Sequence, residues 1–252
     1  LGAALDMGLM NINDAFTCNG RICKEVHGRL SVEQAFEKSC NDIFAEIGSK
    51  VGYEKLMEYS EKQGLYDRVL NFESGNINEA KGVKPLKEAG INNISIGQCM
   101  NVTPVQMLGA INTITNNGVY TKPYIVEGIL NKDNEPVKEF RTNKQRIYSE
   151  TTAKLVKNSM RQVIINGTGI KAYIGDLDVG GKTGSATGSE KQTHGWFAGF
   201  FDIGEKKYTM VVFTPDIKSS DGTENEKLGG GDTAAPIFKD IVKKLNMRDW
   251  ID

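Results

Sequence analysis

The segment that most constrains the fold is a short run, Val179-Gly180-Gly181, that leads directly into Lys182-Thr183-Gly184-Ser185. Residues 194–201 and 208–214 are rich in aromatic and β-branched side chains, so the three segments predict consecutive strands of one sheet. The first strand presents a cation, two hydroxyl groups and a glycine. This combination suits the recognition of a carboxylate.

Gly181-Lys182-Thr183 also resembles the end of a Walker A phosphate-binding loop. That motif requires four residues between its first glycine and the Gly-Lys-Thr, whereas Gly175 and Gly181 enclose five. The glycine- and serine-rich residues after Thr183 do not predict a helix whose amides would face a phosphate. The spacing therefore argues against nucleotide binding.

The amino-acid composition is typical of a folded protein with a net charge near zero. The 252 residues, 39% hydrophobic and 25% charged, can bury a substantial core and form one large domain or a major part of one. The net charge of −1 gives no electrostatic basis for binding nucleic acid. No apolar run approaches the roughly 18 residues of a membrane span, and no signal peptide is present. A membrane anchor could still lie upstream of residue 1.

The four cysteines do not decide the redox compartment by number alone. A turn-forming segment separates Cys18 from Cys23, so the two could close a small disulfide loop. We favour this bridge, and free thiols are the alternative. Together with His27 they could contribute to a zinc site, but no fourth ligand follows at a recognised spacing. We therefore predict no metal at the functional site.

Helix signals organise the first part of the chain. Ser31 and Gln34 form a capping box, and the apolar pattern places Ser39-Cys40-Asn41 at a junction between two helical pieces or within one long helix. Thr103, followed by proline and then Gln106, begins another helix. Ser149 begins a third.

Thr233 is predicted to cap the last helix, in which four residues face the core: Ile237, Ile241, Val242 and Leu245. Helices in residues 1–170, followed by the strands and this closing helix in residues 171–252, predict an α+β fold in a single domain over 1–252.

Four segments together resemble the transpeptidase domain of penicillin-binding proteins in order and spacing. They are Ser39-Cys40-Asn41, the run from Ser95-Ile96-Gly97-Gln98 to Thr103-Pro104-Val105-Gln106-Met107, Lys182-Thr183-Gly184-Ser185-Ala186, and His194-Gly195-Trp196-Phe197-Ala198-Gly199-Phe200. The resemblance covers nearly the whole chain and is closest to the monofunctional class. It implies the fold shared with serine β-lactamases, an antiparallel sheet flanked by helices.

One family motif is missing from the sequence. The family's nucleophile is the serine of a Ser-x-x-Lys motif, and no serine here is followed by lysine three residues later. Thr151 and Lys154 have that spacing, but they follow the Ser-x-Asn position and are interpreted as the first turn of an ordinary helix. Residues 1–8 resemble the family's helix just after the nucleophile. We therefore expect the chain to begin past the catalytic serine and past the first strands of the sheet, and to be inactive alone.

The resemblance assigns roles to individual residues. It implies that Ser39 and Lys182 relay a proton towards the departing amine and that Asn41 holds a side-chain amide of the substrate. It also implies that Thr183 and Ser185 bind the substrate carboxylate through their hydroxyl groups and that the Ser185 amide forms half of an oxyanion hole. Gly184 completes the substrate-binding motif.

The implied function is that of a peptidoglycan D,D-transpeptidase. Such an enzyme cross-links D-alanyl-D-alanine stem peptides through a serine acyl-enzyme and binds β-lactam antibiotics as substrate mimics. It uses no cofactor, acts outside the cytoplasm from a membrane anchor absent from this chain, and has cell-wall synthesis proteins as further partners. The alternatives are a non-catalytic module that senses β-lactams or stem peptides, and a serine β-lactamase.

Overall fold

The computed structural model describes residues 1–70, 79–140, 142–187, 193–217 and 228–247. Its helices are α1 (Gly2–Asp6), α2 (Val32–Glu37), α3 (Asn41–Val51), α4 (Tyr53–Lys62), α5 (Ile91–Ser95), α6 (Pro104–Thr115), α7 (Glu150–Asn166) and α8 (Ala234–Asn246). Its strands are β1 (Ala15–Cys18), β2 (Gly28–Ser31), β3 (Val119–Thr121), β4 (Gly128–Leu130), β5 (Pro136–Glu139), β6 (Lys144–Arg146), β7 (Val179–Thr187), β8 (Thr193–Ile203) and β9 (Lys206–Ile217). None of the helices described is long and apolar enough to cross a membrane.

The predicted three-strand sheet is confirmed, with antiparallel order β7-β8-β9 and with Gly181 opposite Gly199. Two glycines allow the close packing of β7. A Cβ atom on Gly180 would collide with the ring of Phe200, and one on Gly181 would collide with the ring of Phe197. The glycine pair before the lysine is therefore a packing requirement of the sheet. Three further pairs of strands, β1-β2, β3-β6 and β4-β5, lie in the first part of the chain.

Helices cover both faces of the sheet. On one face Phe200 joins a core formed with α1, α2, α3 and α7, which includes Ile43 and Met160. On the other face Phe197 packs against Phe238 of α8, with ring centroids 4.7 Å apart. Because aromatic side chains point to both sides of β8, the strand is held in place from two directions. This arrangement fixes the edge on which β7 carries its polar motif.

The predicted helix starts are confirmed where a side-chain cap marks them. Ser31 and Thr103 each form a complete capping box, with Gln34 and Gln106 as the reciprocal partners. The Ser149 hydroxyl accepts a hydrogen bond from the Thr152 amide at the start of α7. Such caps satisfy amides that a helix leaves unpaired at its first turn, so the local sequence alone determines where these helices begin.

The prediction for the last helix is partly wrong. Helix α8 follows Thr233, but that hydroxyl donates to the Gly229 carbonyl and does not cap the helix. The buried face contains Val242 as predicted, whereas Ile237 is 43% exposed and Ile241 is 37% exposed. Ala234, Ala235 and Phe238 are buried in their place. The small alanines allow α8 to approach the sheet closely, and this rotates the two isoleucines outwards.

Candidate functional site

A cleft of about 740 Å³ opens between the α2–α3 junction and the edge of β7. It contains every residue that the sequence predicted for the site: Ser39, Asn41, Lys182, Thr183, Gly184 and Ser185. The other lining residues come from α2, α3, the segment around α5, the end of α7 and the loop before α8: Phe36, Phe44, Ser95, Ile96, Gln98, Gly167, Thr168, Ile170, Lys171, Gly229, Gly231 and Asp232. Segments far apart in the sequence thus converge on one surface.

A hydrogen bond across this cleft joins Lys182 to Ser39. The Lys182 Nζ atom donates to the Ser39 Oγ atom at 2.7 Å and to the Thr183 carbonyl at 3.1 Å. It also lies 5.7 Å from the centroid of the Phe36 ring. Burial of the amine lowers the pKa of Lys182 to about 8, because desolvation penalises the charged form. The amine is therefore able to exchange a proton near neutral pH.

Ser39 owes its position to the break between α2 and α3. Its φ angle of 54° is in the left-handed region, which few residues other than glycine adopt. The Cys40 amide then donates to the Ala35 carbonyl at 2.9 Å, which closes the end of α2. Helix α3 begins at the next residue, Asn41. The tight connection presents the Ser39 and Asn41 side chains to the cleft.

Two hydroxyl groups line the β7 side of the cleft. The Thr183 Oγ1 and Thr168 Oγ1 atoms are 2.6 Å apart. The Ser185 hydroxyl accepts a hydrogen bond from the Gly230 amide at 3.2 Å. Each hydroxyl is thereby oriented by a neighbour from another segment. Together with the amine of Lys182, they form a wall that carries hydrogen-bond donors and a positive charge.

Sequence reasoning missed Thr168, Lys171 and Asp232. The Lys171 Nζ atom lies 2.8 Å from an Asp232 carboxylate oxygen, and this hydrogen bond lowers the pKa of Asp232. The pair joins the segment after α7 to the loop before α8 at the rim of the cleft. The glycine-rich turn containing Thr168 was the only local signal, and it indicated the end of a helix.

The structure contradicts one of the alternatives that the sequence left open for the cysteines, the local disulfide. Cys18 and Cys23 are free thiols, so the local disulfide is not formed. The Cys18 Sγ atom lies 3.4 Å from the His27 Nδ1 atom, and the Cys23 Sγ atom lies 3.6 Å from the Cys40 Sγ atom. The Asp42 carboxylate accepts amide hydrogen bonds from the connecting loop, and in this loop conformation both thiols lie beside His27 and Cys40.

Thr151 and Lys154 lie in the first turns of α7, as the sequence interpretation expected. The Lys154 amine forms an ion pair with Glu150 at 2.7 Å, and both side chains are more than half exposed. Neither residue lines the cleft. Their serine-lysine-like spacing is thus part of an ordinary helix start.

Comparisons with known proteins identify the family of this chain. The family model described as the penicillin binding protein transpeptidase domain matches residues 1–243. Stage V sporulation protein D of Bacillus subtilis is 28% identical over 86% of this chain and 34% of its own length. Penicillin-binding protein PbpB of Mycolicibacterium smegmatis is 26% identical over 98% of this chain and 41% of its length. The chain thus spans less than half the length of these curated relatives.

A further relative is the peptidoglycan D,D-transpeptidase FtsI homolog of Mesostigma viride, 24% identical over 95% of this chain and 44% of its own length. Among solved structures, penicillin binding protein 3 of Mycobacterium tuberculosis complexed with ampicillin is 25% identical and has a TM-score of 0.82. The alignment covers 99% of this chain and 60% of that structure. The same protein complexed with aztreonam gives a TM-score of 0.81, at 25% identity over 99% of this chain and 60% of that structure.

Proposed function

Because the chain belongs to the penicillin-binding protein transpeptidase domain family, we propose that it forms the major part of a serine-type peptidoglycan D,D-transpeptidase domain. The contact of 2.7 Å between the Lys182 amine and the Ser39 hydroxyl is the observation that carries the proposal. It gives the cleft a proton-transfer pair beside a wall of hydrogen-bond donors. Acyl transfer from a peptide that ends in a carboxylate requires both features.

In the proposed reaction, a serine hydroxyl attacks the carbonyl carbon between two D-alanine residues. The C–N bond breaks, the terminal D-alanine leaves as a free amine, and an ester to the serine remains. The departing nitrogen must gain a proton. Ser39 supplies it from its hydroxyl and is reprotonated by Lys182, whose lowered pKa of about 8 suits it to donating and accepting protons near neutral pH. An amine of a second peptide then attacks the ester and restores the serine.

In this proposal, the edge of β7 binds the substrate. The hydroxyl groups of Thr183 and Ser185 donate to the terminal carboxylate, and the positive charge of Lys182 attracts it. The Ser185 amide contributes half of the oxyanion hole, and Gly184 leaves room for the peptide beside the strand. Asn41 binds an amide group along the stem peptide. A β-lactam that carries a carboxylate next to its strained amide would occupy the same position.

No serine among the 252 residues is followed by lysine three residues later, so the sequence does not contain the family's nucleophile motif. We infer that the complete enzyme contributes the serine from another segment and that residues 1–252 alone form no covalent adduct. Its substrate is cell-wall peptidoglycan, so we place the reaction outside the cytoplasmic membrane.

The rate of acylation by a fluorescent penicillin tests the proposal in the full-length protein. Lys182→Ala should slow acylation by on the order of a hundredfold, because both proton transfer and charge stabilisation are lost. Lys154→Ala, on the exposed face of α7, is the matched control and should leave the rate unchanged. An unchanged rate in Lys182→Ala would refute the role of Lys182. Rapid release of hydrolysed penicillin would instead favour a β-lactamase.

A further inference from the structure

Four side chains near the α2–α3 junction converge on one point outside the cleft. They are Cys18 at the end of β1, Cys23 in the following loop, His27 just before β2, and Cys40 at the start of α3. Their sulfur and ring-nitrogen atoms all lie within 4.8 Å of one another. Cys18 and Cys40 are fully buried, whereas Cys23 and His27 are half-buried. Three thiols and an imidazole in contact are a typical ligand set for zinc.

Two of the separations are close to the edges of a small coordination tetrahedron. Zinc–sulfur bonds of about 2.3 Å in tetrahedral geometry place neighbouring sulfur atoms about 3.8 Å apart. The Cys23 and Cys40 Sγ atoms are 3.6 Å apart, and the Cys18 Sγ atom is 3.4 Å from His27 Nδ1. A disulfide would use only two of the three thiols and would leave the imidazole without a role. A single ion uses all four side chains.

The loop that carries two of these ligands is held in place independently of any metal. The Asp42 carboxylate accepts hydrogen bonds from four backbone amides of this loop, at distances between 2.5 and 3.1 Å, those of Asn19, Arg21, Ile22 and Cys23. An anionic acceptor that binds several amides fixes a loop conformation more strongly than neutral contacts do. Asp42 also lies two residues after Cys40, so it links the loop to the start of α3. Such supporting contacts are typical of metal sites.

We propose that Cys18, Cys23, His27 and Cys40 bind one zinc ion in a closed, structural site. Four protein ligands fill a tetrahedron, which leaves no position for a reactive water molecule. Thiolate and imidazole ligands select zinc over magnesium or calcium, which prefer oxygen.

The proposed zinc site is connected to the cleft through the backbone of Cys40. Cys40 lies between Ser39 and Asn41, so an ion bound to its sulfur would tie the backbone of that motif to the β1–β2 hairpin. Ser39 has a left-handed backbone, with a φ angle of 54°, and such conformations persist only where the surroundings hold them. Resting on the proposed function, we expect zinc to be required for rapid acylation because it positions Ser39.

Metal analysis of the full-length protein tests the site without reference to activity. After incubation with zinc chloride and removal of unbound metal, the protein should contain one zinc per chain. Cys23→Ser should retain less than about a tenth of that amount, because a hydroxyl is a poor replacement for a thiolate. Cys99→Ser is the matched control, since Cys99 is exposed and outside the cluster, and it should bind as much zinc as the natural protein. Equal zinc in Cys23→Ser and the natural protein would overturn the proposal.

A second measurement avoids dependence on a variant that fails to fold. Replacing zinc with cobalt(II) in the natural protein should give the intense visible absorption of tetrahedral cobalt thiolate, and a chelator should abolish it and lower the melting temperature. A disulfide between Cys23 and Cys40 mapped in the zinc-treated protein, or a cobalt spectrum without thiolate bands, would overturn the site. Zinc binding without any effect on acylation would leave the metal site standing and overturn only its link to Ser39.

Discussion

Replacing the amine of Lys182 with an apolar side chain should stabilise the fold while it slows acylation by on the order of a hundredfold. The folded protein lowers the pKa of Lys182 from 10.5 to about 8, so burial of the charged amine costs about 3 kcal/mol. Lys182→Met keeps much of the side-chain volume and removes this cost, but it also removes the hydrogen bond to Ser39, worth about 1 kcal/mol. The variant should therefore be about 2 kcal/mol more stable than the natural protein at pH 7.

The stability difference between Lys182→Met and the natural protein should change with pH in a defined direction. Between about pH 8 and pH 10.5, the unfolded chain holds a proton on Lys182 that the folded protein has released. The natural protein consequently gains stability as the pH rises through this window. Lys182→Met has no such proton, so its advantage should decrease by about 2 kcal/mol between pH 7 and pH 10.

Urea denaturation of both proteins at pH 7 and pH 10 measures these differences. Lys154→Met is the matched control, because its exposed side chain should change stability by less than about 0.5 kcal/mol at either pH. The reasoning is refuted if Lys182→Met is less stable than the natural protein at pH 7. It is also refuted if the stability difference between the two proteins is the same at both pH values.

Three further substitutions test the packing around the site by the same denaturation assay. Asp42→Ala should lower the free energy of unfolding by about 2 kcal/mol or more, since four amides lose their acceptor; no loss would exclude Asp42 as the organiser of its loop. Phe238→Ala should cost about 3 to 5 kcal/mol, while Met247→Ala, at a position 81% exposed, should cost less than about 0.5 kcal/mol. Gly181→Ala should cost about 2 kcal/mol because its methyl group meets the Phe197 ring, whereas Gly175→Ala has open space and should be close to neutral.

The features that the sequence predicted best are those set by neighbouring residues. The capping boxes at Ser31 and Thr103 contain both partners within four residues, and the structure forms each of them. The break at Ser39-Cys40-Asn41 between two helices was one of two alternatives, because residue pattern alone does not exclude one continuous helix. The left-handed backbone of Ser39 decides between them, since a regular helix cannot contain it.

The orientation of α8 illustrates what a local pattern leaves undetermined. Apolar residues occupy more than one side of this helix, so Ile237 and Ile241 satisfied a core stripe as well as Phe238 did. The sheet selects the side with Ala234 and Ala235, because small residues permit close approach to β8 and β9. The contact between α8 and the sheet thus decides which side of the helix is buried, and the strands in that contact lie outside the local sequence of the helix.

The cleft and the cysteine cluster differ in how they could be found. The proximity of Ser39 and Lys182, 143 positions apart, was expected from the resemblance to a family and not from any periodicity. The cysteine cluster escaped prediction because Cys40, 17 residues after Cys23, has no second cysteine or histidine close to it in sequence, as the second half of a common zinc motif does. These ligands come together only when the β1–β2 hairpin packs against the start of α3.

The most direct test of the account is an intact-mass measurement of the full-length protein after exposure to ampicillin, followed by peptide mapping. The account predicts one ampicilloyl group per chain, attached to a serine outside residues 1–252, and no adduct on these 252 residues when they are produced alone. An adduct mapped to Ser39, Thr151 or any other residue within 1–252 would contradict it. The same holds for the absence of any adduct on the full-length protein.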